Sequence, residues 1–378
     1  MPLSERIAGH WSHIQGQLFP WLQAEVGPLT ENHKRLIAVL EVAGVEAHVQ
    51  WRDGGPGRPL DDRHALARAF VAKAVLNLTT TVALIERLYV DVTLRRLVGW
   101  ERAASVPSEA TFSRAFAAFA VGQLPERVHA ALIKRMLGDH LVGHIARDAT
   151  AIPAREKPVK QEKIAPVTPK RRRGRPRQGE VVAPKPPSRL TRQLDQTLPQ
   201  MLAELPTHCS FGIKRNAKGH TTGWIGYKLH IDTADGDIPI SCLLTSASVH
   251  DSQVAIPLAT ITASRITNCY DLMDSAYDAP EIAAKSRALG HVPIIDANPR
   301  RGGTAAAQAE ELARKRVGHQ PADAVRYNQR SAAERVNAQL KDNCGAAFVR
   351  VRGHAKVFSH LMFGVVVLTV EQLLRLAT

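Results

Sequence analysis

The sequence predicts a mixed α/β domain with helices on both faces of its sheet, preceded by an all-helical region. Three observations lead there. Apolar residues recur at three- and four-residue spacing from about Trp11 to Leu137. A basic, proline-rich stretch follows between Pro153 and Asp195, and beyond it the period falls to two before helices and strands alternate.

In order, the helical region rests on runs such as ENHKRLIAVLEVAG, RHALARAFVAKAVLNL and TTVALIERLYVDVTLRRLVG. After a turn at Val106-Pro107, Ser108 or Thr111 can cap the segment FSRAFAAFAV. Short helices joined by such turns suit a helix-turn-helix DNA reader, and equally a bundle that only scaffolds the rest. Residues 1–137 are read as this domain, with roles in DNA binding and dimerisation.

Residues 138–152 hold a first strand, Leu141 to Ala149, and residues 153–210 are read as a basic linker inserted into the second domain. Pro153 to Asp195 contains eight prolines, thirteen Lys and Arg and four acids, a net +9. Such a segment is expected to be extended or disordered.

Residues 211–378 complete the α/β domain. Trp224 to Asp232 and Ile238 to Ser246 flank the turn signal Ala234 to Asp237 and predict a β-hairpin, with Trp224 facing its core. A helix from His250 to Ser264, a strand from Asn268 to Asp274, a helix from Ala279 to Leu289 and a strand from His291 to Ala297 follow. Helices are expected over Thr304 to Arg316, Arg326 to Cys344 and His354 to Leu376.

Composition narrows the function. The chain has 378 residues, 44% of them hydrophobic, enough to bury a core in two or three domains. Fifty Lys and Arg against 35 Asp and Glu give a net charge of +15, which favours a polyanion: nucleic acid first, an anionic membrane surface second. Cys209, Cys242, Cys269 and Cys344 are scattered singly and support neither a disulfide framework nor a zinc ribbon. The first residues lack a secretory pattern, and no unbroken apolar stretch reaches the ~18 residues of a membrane span. The longest, Leu361 to Val370, reads as a buried helix. A cytoplasmic protein with no membrane partner is expected.

The sharpest chemical signal is YNQRSAAERVNAQLK. Tyr327, Arg330, Glu334 and Lys341 stand at relative positions 0, 3, 7 and 14, within about 60° of arc on a continuous helix. A carboxylate flanked by a guanidinium, an amine and a phenol can hold a metal ion beside phosphate oxygens. The same stripe can also be a solvated face with one Arg330/Glu334 pair. Asp148 follows the first strand and Asp274 ends a later one, where carboxylates can converge above a sheet. Three hard oxygen donors suit Mg²⁺ or Mn²⁺. Two such ions about 3.5–4 Å apart can drive in-line phosphodiester transfer without a covalent intermediate.

The segments ARDATAIPAREKP, DLMDSAYDAPEI and YNQRSAAERVNAQLK resemble those of bacterial insertion-sequence transposases with a DDE catalytic domain and the Y-R-E-K signature. The resemblance extends to GYKLHIDTADGDIPISCLLTSASVHDS and covers most of residues 80 to 345. It implies a ribonuclease-H-like fold, Asp148, Asp274 and Glu334 as catalytic ligands of two Mg²⁺ or Mn²⁺ ions, and Tyr327, Arg330 and Lys341 as DNA contacts. It implies double-stranded DNA as partner, both transposon terminal repeats and target, with a homodimer in the synaptic complex. Asp271 and Asp278 are set aside because Asp-Ser-Ala-Tyr at 274 to 277 best fits the family's Asp-x-Gly-Tyr, Ala276 standing where Gly is usual. The 60 positions from Asp274 to Glu334 leave no room for the β-rich insertion of some relatives.

In the linker, Arg173-Gly174-Arg175-Pro176 resembles an AT-hook core, which enters a narrow A·T minor groove; a nonspecific electrostatic tether is the other reading. A nuclease on the same fold and a transposase-derived DNA-binding regulator remain the rival functions.

Overall fold

The computed structural model describes residues 3–50, 62–159, 186–215, 219–297 and 322–377, with positions 312, 313, 316 and 318. The N-terminal region is helical as expected, with helices at Leu3–His13, Phe19–Val26, Glu31–Ala43, Arg63–Val75, Thr81–Val90, Val92–Val98, Glu109–Val121 and Leu124–Leu137. Their starts follow from capping: Thr30, Asp62, Thr80, Asp91 and Ser108 each accept a backbone N–H of the first turn through a side-chain oxygen. Ser108, not Thr111, is the cap of the Glu109 helix.

Among the described residues the sheet has six strands: β1 Leu141–Pro153, β2 Ser210–Arg215, β3 Thr221–Ala234, β4 Ile238–Ser246, β5 Thr267–Met273 and β6 Val292–Ile295. The central strand β1 pairs antiparallel with β3 on one side and parallel with β5 on the other, and β6 extends the sheet parallel to β5. The hairpin β3–β4 turns where Gly236 and Asp237 both take left-handed backbone angles. Strand β2, unforeseen in the sequence, pairs with the start of β3. It crosses the Trp224 ring so closely that a Cβ at Gly212 would lie 2.5 Å from it. Trp224 is buried as expected, and its Nε1 donates to the Tyr227 carbonyl at 2.9 Å.

One expectation is corrected beside this sheet. The segment read as linker is not wholly extended: short helices form at Arg189–Gln193 and Leu198–Ala203, where Gln193 and Met201 are buried. Gln193 donates to the Gln253 carbonyl and Arg189 bonds Gln253, so this stretch is fastened to the helix Ser252–Ala263. The helix expected over Thr304 to Arg316 lies largely outside the described residues.

The C-terminal helix His354–Arg375 joins the two halves. It is apolar on nearly every side, the composition of a core helix. Its Phe363 ring stands 5.9 Å from Phe70, which in turn lies 4.9 Å from Phe116, so helices of the N-terminal region enclose it. One continuous core runs from Leu36 and Phe112 through this helix to Ile231 and Leu244 in the sheet. By length and composition the helix could cross a membrane, against the expectation from unbroken apolar runs alone. Here it is buried in protein, as its central run predicted. The four cysteines are free, three of them buried.

Candidate active site

The parallel register of β1 and β5 sets Arg147 opposite Met273, and the next residue in each is an acid: Asp148 lies inside β1, which runs past the expected end at Ala149 to Pro153, and Asp274 lies just beyond β5. Asp148 and Asp274 therefore stand side by side, one residue past the point where the two backbones pair at the usual spacing of roughly 4.8 Å. Strand alternation points Asp148 to the same face as Ala146, away from Arg147. Asp274 leaves its strand and caps the 3₁₀ turn Ser275–Tyr277, its Oδ1 accepting from the Ala276 N–H at 2.9 Å. Burial pushes the Asp148 carboxyl up to about 6, and the negative charge of Asp274 adds to the rise. A backbone bond from Ala149 and the charges of Lys214 and Arg330 oppose it.

The helix Ser331–Asn343 lies over Asp148. Ala332 and Ala333 pack on Ala146, and such small residues let the helix approach β1 closely. One turn further on, the Asn337 side-chain amide donates to Asp148 Oδ2 at 3.0 Å. Glu334 sits on the same helix a turn before Asn337. Its side chain is 55% exposed and accepts from Arg330 Nη2 at 2.7 Å. The structure thus brings together Asp148 and Asp274, and it puts Glu334 on the element that touches Asp148 but paired with Arg330. Among the described residues, no three of His, Cys, Asp and Glu gather closely enough to hold a metal ion.

The continuous helix expected from Arg326 to Cys344 is divided. A helix at Ala322–Tyr327 gives way to a 3₁₀ turn at Asn328–Arg330 before Ser331–Asn343 begins. Ser331 supplies a reason: its hydroxyl donates to the Asn328 carbonyl at 3.0 Å, a local bond that competes with the helical ladder. The 100° spacing that placed Tyr327, Arg330, Glu334 and Lys341 on one stripe therefore does not hold across Tyr327 and Arg330.

These residues nevertheless surround the acids. Burial raises the Tyr327 hydroxyl above its ordinary pKa, with Asp296 and Asp274 acting in the same sense. The Arg330 guanidinium stands 5.7 Å from the Tyr327 ring. Burial works against its charge, but Glu334, Tyr327 and Asp148 outweigh that and raise its pKa. Lys341 is lowered by burial and by its neighbour Lys214, with Asp148 opposing. Arg173 and Arg175 lie outside the described residues.

Asp271, discounted from the sequence, proves to be a buried anchor, bonded by Asn268, Ser286 and His291. Asn337 and Lys214 were missed. For Asn337 a signal existed: it interrupts the apolar stripe formed by Ala333, Val336 and Leu340. Lys214 belongs to β2, and its approach to Asp148 depends on how that strand folds back.

The donor set tests the metal reading. Asp148 and Asp274 are adjacent carboxylates whose charges repel, which is a fit for a hard divalent cation. A central strand with antiparallel and parallel neighbours, helices around the sheet and adjacent acids, one inside β1 and one just past β5, together define a ribonuclease-H-like domain with an all-α region before it. The family model described as Transposase DDE domain matches residues 143–370, and one described as Transposase domain (DUF772) matches residues 30–118. The chain belongs to the DDE transposase family: it is a DNA transposase of a mobile element, from a family that acts on DNA with divalent metal. No curated protein and no solved structure matches it.

Proposed function

We propose that the protein cleaves the ends of an insertion sequence and joins their 3′-hydroxyls to target DNA, with Asp148, Asp274 and Glu334 as the ligands of two Mg²⁺ or Mn²⁺ ions. The observation that carries this reading is the side-by-side position of Asp148 and Asp274 beneath the helix bearing Glu334. When bound, the cations supply the charge that activates a water or 3′-hydroxyl and stabilises the leaving oxygen.

The protein's own groups do the rest. Arg330 carries a forked donor set matched to phosphate, while Lys341 and Lys214 bring positive charge beside Asp148. Tyr327, with Arg330 against its ring, offers a hydroxyl and a flat surface to the DNA end. Glu334 joins the two strand acids when a phosphate draws Arg330 from it, so that DNA arrival completes the ligand set.

The N-terminal helices, residues 1–137, read DNA and support a homodimer that pairs the two ends. Arg173 and Arg175 reach an A·T-rich minor groove from the basic segment within 153–210, and residues 138–152 with 211–378 form the catalytic domain. The site of action is the nucleoid of a bacterial cytoplasm.

The test is cleavage and joining of a duplex carrying the element's own ends with Mg²⁺ or Mn²⁺, comparing the intact protein with Glu334→Gln. Loss of both reactions in the variant, with end binding retained, is the expected result. An intact protein that binds the ends but neither cuts nor joins them overturns the reading in favour of a DNA-binding regulator. Cutting without joining of pre-cleaved ends points instead to a nuclease.

A further inference from the structure

We propose that Asn337 is a positioning residue for the first acid: its side-chain amide fixes which oxygen of Asp148 faces a divalent cation and ties the helix carrying Glu334 to β1. This rests on the reading of Asp148 and Glu334 as metal ligands.

The bond has one chemically sensible polarity. A carboxylate only accepts, so the Asn337 Nδ2 must face Asp148 Oδ2, and the 3.0 Å contact leaves Asp148 Oδ1 as the oxygen that the amide does not engage. Asn337 is 6% exposed, and its Oδ1 has no hydrogen-bond partner among the described residues. A buried acceptor without a partner is destabilising. Its neighbours Ala333, Val336 and Leu340 are buried and apolar, so a leucine would satisfy packing at this position at lower cost. The amide is therefore explained by what its donor does for Asp148.

The bond also sets orientation. Ala332 and Ala333 against Ala146 are small, non-directional contacts, while Arg335 forked onto Asp237 and Gln339 bonded by Gln372 hold the helix to the hairpin turn and to the C-terminal helix. The Asn337–Asp148 bond is the directional contact that reaches the acid itself, one turn from Glu334, and so orients Asp148 relative to that helix. Groups that orient a metal ligand in this way change metal affinity by about 10–100-fold when removed.

The test uses the full chain and reads Mn²⁺ binding alone by calorimetry, metal-free binding to end DNA by mobility shift, and the split of kcat from KM for DNA. Asn337→Leu is expected to weaken Mn²⁺ binding by about 10–100-fold and to lower kcat, with KM and metal-free DNA binding unchanged. Asn337→Ala, which cannot crowd the strand, is expected to do the same, and Asn337→Gln to recover part of the loss. Mn²⁺ affinity and kcat within twofold of the parent in both the Leu and Ala variants overturn the proposal. Asp148→Asn separates the two readings. If it abolishes Mn²⁺ binding while both Asn337 variants keep it, only the Asn337 role fails; a parent chain that binds Mn²⁺ neither alone nor with end DNA overturns both.

Discussion

Arg147 and Asp148 are consecutive on β1, leave the sheet on opposite faces, and receive opposite treatment. Arg147 is 2% exposed and meets Asp232, its direct cross-strand partner, through two bonds of 2.7 and 2.8 Å. Thr262 donates a third bond to that carboxylate at 2.6 Å. Asp148, one residue on, has an amide on one oxygen and a second acid beside it. On one face the charges close into a buried pair; on the other, Lys214 and Arg330 act on Asp148 but no ion pair fixes it or Asp274 among the described residues. Buried pairs serve the fold, and acids without a fixed partner are what a cationic ligand can use.

The comparison is broken most severely from the side of the buried pair. Asp232→Ala strands a buried guanidinium, which typically costs about 3–5 kcal/mol. Urea denaturation is expected to show a loss of that size. A double change, Arg147→Met with Asp232→Leu, removes both charges and is expected to recover most of it, because a buried pair and an apolar pair of similar volume differ little. A double variant no more stable than Asp232→Ala breaks the idea that the pair's matching is what counts.

From the side of the acids the effect is smaller and opposite in sign. The folded protein keeps a proton on Asp148 up to about pH 6, while the unfolded chain releases it near pH 3.9. Stability therefore falls as pH rises through that window, and at pH 7.5 the charged Asp148 costs about 2–3 kcal/mol. Without divalent metal, Asp148→Asn is expected to be more stable than the parent at pH 7.5 by about that amount, and to lose the advantage near pH 4. Saturating Mn²⁺ is expected to reverse the order at pH 7.5, because only the parent gains from binding. An advantage that persists unchanged at pH 4 shows that charge is not its cause.

The sequence held one side of this contrast better than the other. Asp274 was legible because it ends an apolar run before a turn, which is a local property; Asp148 was picked out on the same ground, but β1 runs on to Pro153 and places it inside the strand. The hairpin β3–β4 was legible for the same reason as Asp274, its turn being written in Ala234 to Asp237. Asp232 and Arg147 were not, since a cross-strand pair is known only once register is known. Strand β2 follows a proline-rich stretch and is held by Gly212 passing over Trp224, a contact between residues on different strands. The break before Ser331 was invisible to a period of 3.6, because it arises from a single hydroxyl bonding a carbonyl three residues back.

Glu334 gives the finest test of the division between buried pairs and acids without a fixed partner, because it has a partner on an exposed face and yet belongs with the acids of the site. Its bond to Arg330 spans i to i+4 on a half-exposed face, the kind of pair worth only a few tenths of a kcal/mol. The 55% exposure of Glu334 means that water screens it and stands ready to replace either partner. Glu334→Gln is therefore expected to change unfolding free energy by no more than about 0.5 kcal/mol in urea at pH 7.5. The same change is expected to abolish cleavage. A stability loss above about 2 kcal/mol contradicts this, because it makes the Arg330 pair a fold-bearing contact like Arg147 with Asp232. Glu334 could then not be released to join Asp148 and Asp274 without unravelling the start of its own helix.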